Sequence, residues 1–189
     1  MAFWVKFQSV GMRIKAGVIP FMSIEQKITT IFGMNDEIWM RHANPWSVWT
    51  RYAALPILVL SIWSRAWIGW WSMIPITLSA VWIWINPRVF KKPASTNNWA
   101  SMAVLGERVW LNRKLIAVPE QFEPVIKVLN AISGVGTLVC ILGLVIQSFW
   151  MTVFGMAVLI LSKSWFLDRM VWLYQEMKDR NEEYGKWLY

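Results

Sequence analysis

The stretch Ala66–Pro87 runs for 22 residues without a charged side chain, and that feature commits the chain to a membrane. A helix rises ~1.5 Å per residue, so such a run covers a hydrocarbon core of ~30 Å. Three other stretches read the same way. A helix over Pro45–Ser64 has 20 residues, with Asn44 as N-cap and Pro45 at the first helical position, where a missing N–H costs nothing. Its charge-free part, Tyr52–Ser64, is only 13 residues, so Arg51 must snorkel or find a partner. Pro56 is expected to kink it. The third and fourth spans are expected over residues 125–147 and 149–167. Trp63, Trp67, Trp70 and Trp71 mark one interface and a turn at Gly69.

Composition agrees. Hydrophobic residues are 57%, mean hydropathy is +0.40 and charged residues are 16%, against ~25% charged in soluble domains. The 16 Trp suit repeated membrane–water interfaces, where an apolar ring and a polar N–H both find partners. The net charge of +8 would suggest nucleic acid in a soluble protein. Here it follows from topology, so the expected partner is the lipid bilayer and not nucleic acid. Residues 1–51 hold six Lys and Arg, 87–127 hold seven and 163–189 hold five, while the two remaining turns hold only Arg65. By the positive-inside rule, both termini and the middle loop are expected to be cytoplasmic.

The expected fold class is an all-α integral membrane protein: four transmembrane helices in two hairpins, with cytoplasmic interfacial amphipathic helices. Three parts follow. Residues 1–44 form cytoplasmic N-terminal helices, 45–167 the four-helix transmembrane domain with a cytoplasmic middle loop over 88–123, and 168–189 a cytoplasmic C-terminal helix. Within 1–22, Phe3, Phe7, Val10, Ile14, Gly17 and Phe21 recur at helical spacing. Ser23 and Gln26 resemble a capping box, with Gly33 as the stop. Asn35 caps the next helix, with Asp36 and Glu37 favoured by its dipole. In the middle loop, Trp99, Met102, Gly106 and Trp110 share a face, which predicts an amphipathic helix over 98–112 lying near the membrane surface. In the third span Ser133, Gly136, Cys140 and Gly143 form a small-residue stripe that lets another helix approach. An internal seam is preferred over an oligomer interface. The fourth helix is expected to continue through Asp168–Glu183, with Glu176–Arg180 and Glu182–Lys186 spaced for i,i+4 pairing.

The sequence carries no P-loop, no G-x-S-x-G, no H-E-x-x-H and no C-x-x-C. One His and one Cys exclude a His- or Cys-rich metal site within one chain, and no cofactor is expected. Acids are absent from all four spans, which argues against a carboxylate proton relay. What remains is a polar set on one side. His42 and Glu107 are the catalytic candidates, as a base and its orienting carboxylate. Asn44, Arg51, Arg88, Arg108, Asn112 and Arg113 are the ligand-binding candidates, suited to a phosphate or lipid headgroup. The plainer alternative pairs Glu107 with an arginine, makes His42 a cap or surface residue, and lets the asparagines close helix ends.

Arg41–Arg51, Ile85-Asn86-Pro87, Asn98-Trp99-Ala100-Ser101 and Gly106-Glu107-Arg108-Val109-Trp110-Leu111-Asn112-Arg113 resemble a family of small, Trp-rich bacterial membrane proteins known as a domain of unknown function. The likeness covers about 38–118. It implies a bacterial inner membrane and transfers no activity. Three functions are compatible with this reading. The preferred one is a non-enzymatic component that assembles with itself, as a homo-oligomer, or with a larger membrane complex. The others are an oligomeric channel or carrier, and a cytoplasmic-face enzyme or binding protein for a lipid headgroup or phosphorylated metabolite.

Overall fold

The computed structural model describes residues 35–189, and among them there is no strand. The expected helix over 1–22, the Ser23–Gln26 capping box and the Gly33 stop lie outside the described residues.

Helix α1 spans Asp36–His42, and the Asn35 side chain accepts the Ile38 N–H at 2.8 Å. After a one-turn break, Asn44 accepts the Trp46 N–H at 2.9 Å and starts α2, Pro45–Trp63. A reversal follows through the short α3, Arg65–Ile68, and a 3-10 turn over Gly69–Ser72. Gly69 takes φ 55°, a left-handed value that a side chain would resist. Helix α4 then returns over Met73–Val89. The sequence reading made the whole of 66–87 one span. The structure spends its first third on the turn and carries the helix past Asn86-Pro87, where a helix end was expected. Asn86 is no cap. Its amide accepts from the Ser47 hydroxyl and donates to Thr50 Oγ1, both at 2.8 Å, stitching α4 to α2. Nearer the turn, the Ser61 and Ser79 hydroxyls meet at 3.3 Å.

Three helical stretches are long and apolar enough to cross a membrane: Pro45–Val89, Phe122–Val145 and Phe149–Lys178. The sequence reading has four. The difference lies in the first stretch, a 45-residue run that doubles back on itself through a turn that is itself helical.

The second hairpin pairs α6, Phe122–Val145, with α7, Phe149–Lys178; α5 is introduced below. Their seam is the stripe of small residues. A Cβ on Gly136 would come within 2.9 Å of Leu159 N, and one on Gly155 would strike the Cys140 backbone. The Ser133 and Ser162 hydroxyls join across it at 2.8 Å. The stripe is thus an internal seam. The connecting turn places Gln147 at φ 54°, and Ser148 N–H donates to the Gly143 carbonyl at 2.9 Å.

At the Lys/Arg-rich end the chain builds a separate core. Helix α5, Trp99–Leu111, is capped by Asn98, which accepts the Ser101 N–H at 2.9 Å. Helix α5 is enclosed by protein rather than bare on one face. Ala103, Leu105 and Val109 are fully buried, because the lower half of α7 covers them. Gly106 makes this possible: a Cβ there would strike the Met170 carbonyl. The Ser101 hydroxyl also donates to the Ala43 carbonyl at 2.6 Å, fixing α5 to the α1–α2 joint. The α7 helix stops at Lys178, earlier than the expected Glu183. Asn181 there caps a last short helix, α8, Glu182–Gly185, by accepting the Glu183 N–H at 2.9 Å. Tyr174 donates to the Tyr184 carbonyl at 3.1 Å and folds α8 back onto α7. Thr96, fully buried, ties the chain's last residues to the loop before α5 through Trp187 O at 2.7 Å and Tyr189 N at 2.9 Å.

Candidate functional site

The first turns of α2, the middle of α5 and the middle of α7 converge where the apolar helices meet the basic core. A pocket of about 230 Å³ opens there. Arg51 and Tyr52 reach it from α2, Glu107 from α5 and Lys163 from α7; Leu55, Leu159 and Ile160 form apolar walls. Each polar group has an assigned posture. Arg51 Nε donates to the Ser47 carbonyl at 3.2 Å, which anchors the guanidinium stem. Lys163 Nζ donates to Glu107 Oε1 at 2.7 Å and lies 4.3 Å from the centre of the Phe166 ring. Tyr52 donates to the Ser164 hydroxyl at 3.2 Å. Two cations therefore face one carboxylate beside an aliphatic wall.

Of the residues singled out from sequence, the pocket unites Arg51 and Glu107. The Glu107 carboxylate is engaged by Lys163. His42 does not line the pocket. It is 6% exposed, so it is not a surface residue, and its Nδ1 has no hydrogen-bond partner. Trp39 packs edge-on against it at 5.8 Å. Burial, reinforced by the positive charges of Arg51 and Lys163, holds the imidazole well below its usual range near 6.5. It is therefore neutral at physiological pH.

The other candidates serve the scaffold. Asn44 caps α2 and donates to the Lys91 carbonyl at 2.9 Å. Arg88 donates to the Trp84 carbonyl at 3.0 Å and lies over the Trp84 ring at 5.0 Å. Arg108 pairs with Asp36 and stacks on Trp187 at 4.0 Å. Asn112 closes α5, and Arg113 stacks on Trp110 at 4.3 Å while donating to its carbonyl at 2.9 Å. None of these five lines the pocket.

The residue that sequence reasoning passed over is Lys163. It sits inside the stretch read as the fourth span, and an ionisable side chain in such a stretch is expensive unless paired or functional. That signal was present in the sequence.

The chain belongs to DUF6653, a family of unknown function. The match spans residues 23–185, so it takes in the C-terminal half that the resemblance over 38–118 left out. All the pocket residues fall inside it. No curated protein and no solved structure matches the chain.

Among the described residues no group of three or more His, Cys, Asp and Glu side chains comes together in a way that could hold a metal ion. What this DUF6653 pocket offers is electrostatic. Arg51 presents a planar fork, and Lys163 a compact charge paired with Glu107, beside an apolar wall. Such a set has the chemistry to receive an anionic group whose remainder is hydrocarbon.

Proposed function

We propose that this protein is a four-span bacterial inner-membrane protein, with cytoplasmic termini, whose pocket between α2, α5 and α7 binds the anionic headgroup of a membrane lipid without chemical turnover. The observation that carries the reading is the convergence of Arg51 and Lys163, from separate helices, on one pocket with aliphatic walls. Two cations against one carboxylate leave a net positive charge at the end of apolar helices, which suits a singly charged phosphodiester in the headgroup layer. The engagement of Glu107 by Lys163 speaks for binding rather than for acid–base chemistry by His42 and Glu107. The four-span arrangement is supported by the fold-back of α2 on α4 and by the basic residues gathered at one end. The small-residue stripe no longer speaks for an assembling subunit, because α7 fills it.

The test is native mass spectrometry of the purified full chain with defined lipids. The wild type is expected to retain phosphatidylglycerol over phosphatidylcholine by about tenfold, which corresponds to about 1.4 kcal/mol. The double variant Arg51→Gln/Lys163→Gln is expected to lose that preference. Equal retention of both lipids by the wild type would overturn the headgroup reading. The topology is tested separately with an impermeant maleimide on intact cells. Trp70→Cys and Trp150→Cys are expected to label from outside and Lys92→Cys is not. Labelling of Lys92→Cys, or protection of Trp70→Cys, would contradict four spans.

A further inference from the structure

A second cavity, of about 260 Å³, lies on the same seam further from the basic core. It is lined by Pro56, Leu60 and Trp63 of α2 and by Phe149, Val153 and Met156 of α7, among others. Its position relative to the first pocket is the informative point. Along α2 the first pocket ends at Leu55 and the second begins at Pro56; along α7 the first ends at Leu159 and the second begins one turn away at Met156. They lie end to end along the α2–α7 seam, as two halves of a cleft would. The seam is fastened by the Tyr52–Ser164 hydrogen bond, 3.2 Å, and by the edge-on contact of Trp63 with Phe149, 6.2 Å between ring centres.

The two halves differ in chemistry. All the charge is in the first. In the second, the polar side chain is Thr152, and its hydroxyl donates to the Ser148 carbonyl at 2.9 Å. That half asks nothing of a ligand except apolar surface. From Arg51 to Trp63 the cleft follows twelve helical residues, ~18 Å, which is slightly more than one leaflet of a ~30 Å hydrocarbon core. A helix from another protein, ~10 Å across, is too wide for a cavity of about 260 Å³, and a free phosphorylated metabolite would leave this half unused.

We infer that the ligand is a long-chain lipid whose acyl chain lies along the α2–α7 cleft with its anionic group at Arg51 and Lys163. This rests on the headgroup reading above and adds the chain. The test compares dipalmitoylphosphatidylglycerol with dihexanoylphosphatidylglycerol on the intact protein, with glycerol phosphate as the chain-free competitor. The wild type is expected to bind the dipalmitoyl lipid at least about tenfold more tightly, since its longer chains bury more methylenes; glycerol phosphate does not displace it. Met156→Trp, which fills the junction of the two halves, is expected to abolish the chain-length preference while leaving selection of phosphatidylglycerol over phosphatidylcholine intact. Leu161→Trp, on the exposed side of α7, is the matched control and keeps both. Equal affinity for the two chain lengths in the wild type overturns the inference even if anionic selectivity holds. So does a Met156→Trp variant indistinguishable from Leu161→Trp. Loss of anionic selectivity in the wild type instead removes the headgroup reading.

Discussion

The upper half of helix α7 meets α6 and α2 in opposite ways. Toward α6 it presents Gly155, Thr152 and Ser162, and the two backbones approach until no side chain fits between them. Toward α2 it presents Met156, Val153 and Lys163, and the larger side chains meet only at points, leaving a cleft. The first seam gains its attraction from close packing, since lipid tails are as apolar as leucine and offer no hydrophobic drive. The second gives up that packing. The contrast separates a seam that holds the fold from one that is open to the proposed lipid.

The adjacent residues Gly155 and Met156 expose the difference most sharply. Gly155→Ile places branched carbon against the Cys140 backbone, which cannot give way. It is expected to cost about 3 kcal/mol or more, read as a large drop in thermal unfolding temperature in mild detergent. Survival of this variant with wild-type stability would remove the distinction between the seams.

The first hairpin supplies an intermediate case. Its helices are joined by polar stitches rather than glycines. Asn86→Leu removes both 2.8 Å bonds to Ser47 and Thr50. A loss of about 1–2 kcal/mol is expected, measured in the same assay.

The joint below both seams responds to pH. Because burial depresses the His42 pKa in the folded chain, the unfolded chain takes up a proton below about 6.5 while the folded chain does not. Stability is full above that pH and falls as pH drops through it, by up to about 1.4 kcal/mol per unit. His42→Phe is expected to flatten this slope in unfolding curves taken from neutral to mildly acidic pH. The smallest effect belongs to the open seam: Met156→Trp should change stability by less than about 1 kcal/mol, although it fills the apolar half of the cleft.

These expectations follow how legible each part was. The Asn35 and Asn44 caps, the turn at Gly69 and the small-residue stripe can all be read from sequence, because each depends on neighbours along the chain or on helical spacing. The burial of α5 could not. Trp99, Met102, Gly106 and Trp110 share one face on a membrane surface or in a core alike, and only the lower half of α7, contributed from sixty residues away, decides between them. The site was half legible. Arg51 stands out as a charge inside an apolar run, and Lys163 stands in the same position in α7, although the charge tally makes it a flank. Glu107 reads as the partner of His42, whereas it pairs with a lysine whose position in space the sequence does not announce. The expected topology puts Arg88, Arg108 and Arg113 on one side with Arg51; the structure places each over an aromatic ring and outside the pocket.

The central claim is that lipid occupies the α2–α7 cleft in a defined pose. Photo-crosslinking with a phosphatidylglycerol carrying a diazirine in its acyl chain tests it directly, with the labelled residues mapped by peptide mass spectrometry. The account predicts labelling concentrated at Leu55, Leu60, Met156 and Leu159, reduced by Arg51→Gln/Lys163→Gln. Labelling spread evenly over the exposed faces of α4 and α6, unaffected by that double variant, would contradict it.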